Sequence, residues 1–254
     1  MTNKINLNKR AQVTIFIILA IAIVVILVVL LYPNINVLVT GGNPVQQFEK
    51  CFDEPVAQAL DLVSKQGGYI NPLNYKIQDG NKIAYLCYTN NNYEICELQE
   101  AFVTNRVETE IKNYIEPSVK ACINSVKERL RTKGYTITSN EPVINVSLVP
   151  QGVLSEAQIG LTITKQNTEA YDKISSIKAS RIYALTIVTN QVLKQELQYG
   201  DSDVLLFMAN YPAIKFEEKR LSDGSNIYTL TYRETGDKFR FATKNLLTPE
   251  GYGI

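Results

Sequence analysis

The chain reads as an α+β protein, with an apolar transmembrane helix near its start followed by a domain of long helices and mostly antiparallel strands. Three observations predict this. Residues 11–32, AQVTIFIILAIAIVVILVVLLY, carry no charge. Apolar residues then recur at three- and four-residue steps over two long stretches, and from Tyr135 the period drops to two. Helical and strand-like segments are segregated along the chain, the pattern of α+β architectures.

Residues 1–10 form a short polar tail with Lys4, Lys9 and Arg10. The apolar run after it contains sixteen Val, Ile, Leu and Phe residues, and between Val13 and Leu31 only Thr14 is polar. At a rise of 1.5 Å per residue the run is roughly 33 Å long, enough for a hydrocarbon core of about 30 Å. No Lys or Arg follows until Lys50, so the positive-inside rule places the tail in the cytoplasm and everything after Tyr32 outside. Residues 33–44, opened by Pro33 and closed by Pro44, read as a linker.

The outer domain spans 45–250, a helical and hairpin part over 45–134 and a sheet-rich part over 135–250. Its first helix is expected from Val45 to Gln66, kinked or split by Pro55 and stopped at Gly67-Gly68. A hairpin over 82–98 follows, with Asn91-Asn92 as its two-residue turn. A second helix is expected over Gln99 to Lys133. Its stripe is Val103, Val107, Ile111, Ile115, Val119, Ile123, Val126 and Leu130, with Pro117 bending it and Gly134 capping it. Strands are expected at YTIT, VINVSLV and SEAQIGLTIT, with a further strand near Ile174 to Arg181. A helix over Ile182 to Tyr199 ends at Gly200, and Ser202 is placed to cap a shorter one over Asp203 to Ala209. The end is a meander of AIKFEEKRL, NIYTLTYRE and KFRFAT. Ile214, Phe216, Tyr228, Leu230, Tyr232, Phe239 and Phe241 share its buried face.

Four cysteines, Cys51, Cys87, Cys96 and Cys122, all lie on the outer side, where disulfides persist. Four cysteines allow three connectivities. In the hairpin register set by Asn91-Asn92, Cys87 falls opposite Cys96 at a non-hydrogen-bonded pair, close enough to bridge. Cys51 and Cys122, each within an expected helix, then form the second bond and clamp the two helices together. The chain-entropy model credits so long a loop with roughly 4 kcal/mol.

Composition excludes several chemistries. Histidine and tryptophan are absent, which removes Ser-His-Asp and Cys-His nucleophiles and His-ligated metals. Beyond Tyr32, 23 basic residues face 25 acidic ones without a basic cluster, a surface unsuited to nucleic acid. Ser175-Ser176-Ile177-Lys178 contains S-x-x-K, but on an alternating strand Ser175 and Lys178 face opposite sides. Asp53-Glu54, Glu217-Glu218 and Asp201/Asp203 read as solvated faces or caps. Ser222-Asp223-Gly224-Ser225-Asn226 lacks the alternating carboxylates of a calcium loop and reads as a turn. No metal or cofactor site is expected. Asn145-Val146-Ser147 is a sequon, so Asn145 is a glycosylation candidate.

Where the tail meets the apolar run, Lys9-Arg10-Ala11-Gln12-Val13-Thr14 resembles the class III signal sequence of archaeal type IV pilins and related surface proteins. That resemblance implies cleavage by a prepilin peptidase, with Arg10, Ala11 and Gln12 at the processing site and Gln12 as the new N-terminus. It also implies that the retained helix serves as an anchor or a filament core. Ala11 stands where the family usually has Gly, and Phe16 where pilins often carry Glu. The outer part also resembles a family of uncharacterised, singly anchored proteins from small-genome archaea. The likeness rests on Cys51, on Gln66-Gly67-Gly68-Tyr69-Ile70 and on the ending Lys238-Phe239-Arg240-Phe241-Ala242.

The function expected is that of a non-enzymatic, membrane-anchored extracellular surface protein, pilin-like or an adhesion or assembly factor. The alternatives are an extracellular ligand-binding subunit of a membrane complex and an anchored hydrolase using Ser–Lys or carboxylate chemistry. The partners implied are the lipid bilayer and other membrane or surface proteins, with self-association into a homo-oligomer as a further option.

Overall fold

A computed structural model describes residues 19–23 and 43–247. The basic tail, the processing residues Arg10, Ala11 and Gln12, most of the apolar run and most of the linker lie outside the described residues, and Pro44, expected to close the linker, opens the first helix of the domain. Residues 19–23, from the middle of the apolar run, are helical and exposed. Among the described residues no helix is long and apolar enough to cross a membrane. The chain divides into two compact units, Met1–Asn43 and Pro44–Ile254, and the fold that follows is that of the second.

That unit is α+β. Helices α1 (Pro44–Glu49) and α2 (Asp53–Lys65) lead into strands β1 (Tyr75–Gln78), β2 (Asn81–Tyr88) and β3 (Glu97–Leu98). The long helix α3 (Val103–Thr132) is followed by β4 (Thr136–Thr138), β5 (Val143–Val149), β6 (Gly152–Thr164) and β7 (Thr168–Ala179). Helices α4 (Ile182–Tyr199) and α5 (Val204–Asn210) precede β8 (Ile214–Arg220), β9 (Ser225–Tyr232) and β10 (Lys238–Lys244). One sheet has the order β1-β2-β10-β9-β8, with β3 also on β2; in the other, β4, β5 and β7 all pair with β6. Among the described strands every pairing is antiparallel except β2 with β10. That parallel pair joins the chain's early strands to its final meander in one sheet.

Helix α3 forms as its periodicity predicts. All eight residues of the stripe are buried, and the helix runs unbroken through Pro117 to a last turn carrying Arg129 and Arg131. Cations there complement the helix dipole. Its buried face packs on α2, α4 and β5. On the meander, the registers Phe216↔Leu230, Phe239↔Leu230 and Phe241↔Tyr228 gather the expected apolar residues on one face. Tyr232 sits at its margin, partly buried.

Several boundaries differ from expectation, each for a local reason. The first helix is two helices, broken over 50–52, three residues before Pro55. Pro55 is thus in the first turn of α2, where its missing N–H has no intrahelical partner to lose. Cys51 consequently lies in the break and not inside a helix. Helix α3 begins at Val103, four residues later than expected. The first hairpin is β1–β2, turned by Asp79-Gly80 with φ of 52° and 75°. Both central residues at positive φ suit a two-residue hairpin, and Asp-Gly is a preferred pair for it.

The expected 82–98 hairpin does not form around Asn91-Asn92. Cys87 pairs with Leu98 and Tyr88 with Glu97, so residues 89–96 make a long loop in which Tyr93 adopts positive φ. This loop finds its backbone partners on the segment just after β10, the strand beside β2, rather than within a tight turn. Tyr93 N–H donates to the Leu246 carbonyl at 2.5 Å, and Leu246 N–H donates to that of Glu94 at 3.3 Å. Strand β7 begins at Thr168, six residues before Ile174, because its polar first half pairs along β6 while remaining exposed. Asp203, not Ser202, caps α5, accepting from Leu206 N–H at 3.0 Å.

Candidate functional site

Both disulfides are formed. Cys51–Cys122 spans a Cα–Cα distance of 5.7 Å and joins the α1–α2 break to α3. Cys87–Cys96 spans 5.3 Å and closes the 89–96 loop. The expected pairing therefore holds, while the opposed register expected for Cys87 and Cys96 does not. The bond staples a loop onto β2 instead of bridging a tight hairpin.

The most unusual chemistry among the described residues lies beneath that loop. Helix α4 buries Leu185, Thr189, Val192 and, continuing the same spacing, Glu196. Glu196 is fully buried. A lone carboxylate there costs several kcal/mol unless it is hydrogen-bonded or neutral. Its partners come from the meander. Asn245 Nδ2 donates to Glu196 Oε2 at 2.5 Å, and the Tyr228 hydroxyl lies against Glu196 Oε1 in a very short contact. Thr243 Oγ1, buried and without a well-aligned hydrogen bond, stands near enough to favour the charged carboxylate. Asn245 Oδ1 also accepts from Cys96 N–H at 2.6 Å. A single amide thus ties the disulfide loop to the buried acid.

The network continues to the surface through Tyr228. Its ring stacks on Phe241 at 5.2 Å, and its hydroxyl accepts from Ser202 Oγ at 2.9 Å. The same hydroxyl contacts Glu218 Oε1 at 3.1 Å, the side chain directly across from it on β8. Glu218 is paired with Arg220 at 3.2 Å, and Arg220 with Asp201 at 2.7 Å. Burial pushes the Glu196 pKa up to about 7; the Tyr228 contact opposes this, and the negative charge of Asp201 adds to it. Burial also raises the Glu218 pKa, with Arg220 pulling the other way. Burial and the neighbouring Glu196 raise that of Tyr228.

Above the network lies an open cleft of about 650 Å³ lined by Tyr199, Asp201, Ser202, Leu206, Glu218 and Arg220. A cleft of about 700 Å³ between α2 and the meander is lined by Lys178, Glu217, Lys238 and Arg240. Ion pairs lie in its wall, Arg240–Asp79 at 3.0 Å and Lys65–Asp61 at 2.7 Å.

The other sequence candidates fall separately. Ser175 and Lys178 lie three residues apart on the alternating strand β7, both exposed. Asp53 and Glu54 occupy the first turn of α2, and Glu217 is exposed against Lys215 at 2.7 Å. Asp223 holds its turn by accepting from Ser225 N–H and pairing with Lys76 at 2.5 Å. Asn145 is half-buried in β5, opposite Glu156. Among the described residues no cluster of three or more metal-ligating side chains occurs.

Glu218 and Asp201, expected on solvated faces or as caps, are members of the polar network, and with them stands Glu196, which no motif in the sequence marks. The signal for it was its spacing: it follows Val192 by four and Leu193 by three, on the apolar stripe of α4. Comparison with family models, with curated proteins and with solved structures found no match.

Proposed function

We propose that this chain is a non-enzymatic, membrane-anchored protein whose α+β domain stands outside the cell, in a pilin-like, adhesive or assembly role. The observation that carries the reading is the succession of a charge-free 22-residue run and a domain with all four cysteines in disulfides. The run is long enough to span a bilayer, and disulfides persist in oxidising compartments. The basic residues before the run orient it with the domain outward. Lys9-Arg10-Ala11-Gln12 supports processing ahead of Gln12.

The test is protease shaving of intact cells, followed by alkaline extraction of their membranes. The proposal expects the domain to be cleaved without permeabilisation and the anchor to stay in the membrane pellet. A domain protected in intact cells, or a chain released by alkali, contradicts it. Mass spectrometry of the extracted protein addresses processing separately, an N-terminus at Gln12 being the expected result.

A further inference from the structure

The Tyr228 hydroxyl has one proton to donate and two lone pairs with which to accept. It meets three oxygens: Ser202 Oγ, which donates to it at 2.9 Å, Glu218 Oε1 at 3.1 Å, and Glu196 Oε1 at shorter range. If both glutamates are ionised, two acceptors compete for one proton and one contact sets lone pair against lone pair. A proton on Glu196 removes the conflict. Glu196 then donates to the phenol oxygen, the phenol donates to Glu218, and Ser202 fills the remaining lone pair. Every position on the hydroxyl is used.

We propose that Glu196 is the proton-operated latch of this domain. Protonated, it locks the α4–α5 turn onto the meander; ionised, it releases that turn. The loop 89–96 stays held in both states, because Asn245 accepts from Cys96 N–H and donates to Glu196 Oε2, a bond that an ionised carboxylate strengthens. The turn is coupled to the latch through Ser202, bonded to Tyr228, and through Asp201, bonded to Arg220.

The groups facing Glu196 are Tyr228 from β9, Thr243 from β10, Asn245 after it, Asp201 and Ser202 from the α4–α5 turn, and Glu218 from β8. Arg220 is the cation of the cluster, and Glu218 and Asp201 already engage it. Ionised Glu196 therefore adds negative charge to a site whose cation is already taken. The pKa of Glu196, raised by burial to about 7, puts this transition near neutral pH. The latch thus closes in acid and opens in mild alkali.

Hydrogen–deuterium exchange on the full chain in detergent tests this. Amides of 89–96 and 200–204 are followed at about pH 5 and about pH 8, with rates corrected for intrinsic chemistry. The expected result is roughly tenfold or more protection of 200–204 at the acid end, with 89–96 unchanged between the two pH values. In Glu196→Gln the side-chain amide donates to Tyr228 and accepts from Asn245, so 200–204 should be protected at both pH values. Equal protection of 200–204 in the wild type at the two pH values overturns the proposal, and so does an unchanged pH step in Glu196→Gln. If Glu196→Gln fails to fold, Tyr228→Phe keeps the ring stack and removes the hydroxyl. The step should then vanish, and its persistence overturns the latch.

Discussion

Helices α3 and α4 both bury one face in the same core, yet they are held there by different forces. The buried face of α3 is apolar for most of its length, Lys127 near the carboxyl end being its buried charged residue. A covalent bond from Cys122 ties it to the α1–α2 break. The buried face of α4 carries Thr186, Thr189 and Glu196, and its carboxyl end is held by hydrogen bonds to Tyr228 and Asn245. Oxidation secures one helix and protonation the other. A hydrophobic interface is indifferent to both variables; pH acts on the α4 side alone, whereas reduction acts on α3 through Cys51–Cys122 and on the loop beside Glu196 through Cys87–Cys96.

The comparison can be broken at four points, taken from the largest expected effect. Replacing Cys51 and Cys122 by Ser should lower unfolding free energy by about 4 kcal/mol, against about 2.5 kcal/mol for the nine-residue Cys87–Cys96 separation. Urea titration of the two double variants checks the order, and a larger loss from the shorter bond would refute it. Ile115→Ala, in the middle of the apolar stripe, should cost roughly 2–5 kcal/mol at every pH.

Third is the pH dependence of α4. The Glu196 pKa lies at about 7 folded against 4.5 for the unperturbed group, so between those values the folded state holds a proton the unfolded state has released. Stability from this group is therefore greatest below the unfolded pKa and falls as pH rises towards about 7, by on the order of 3 kcal/mol in all. The slope should vanish in Glu196→Gln and survive in Ile115→Ala, as urea titrations over that range will show. Smallest is Asp203→Ala, which removes the α5 cap and should cost about 1 kcal/mol, with thermal unfolding as the readout.

The same contrast explains what could be read without coordinates. Helix α3 was legible because eight apolar residues at helical spacing have one physical solution, a face turned to the core. The meander was legible because strict alternation leaves little choice of register. The 89–96 loop was not: Asn91-Asn92 favours a tight turn locally, but Tyr93, Glu94 and Cys96 find partners on Leu246 and Asn245, about 150 residues away. Asp79-Gly80 is a strong local hairpin signal, and it turns the β1–β2 hairpin. Glu196 was hidden for a similar reason to the loop, since the residues that make its burial tolerable lie 32 and 49 positions downstream. Periodicity shows which face is buried, while polar satisfaction depends on contacts distant in sequence.

The placement of the whole domain rests on its oxidised state in the native host. Non-reducing peptide mapping of protein taken from native membranes, alkylated before lysis, tests this most directly. The account predicts two cross-linked peptide pairs, Cys51 with Cys122 and Cys87 with Cys96, and no alkylated cysteine. Four alkylated cysteines on a chain recovered from the soluble fraction would contradict it.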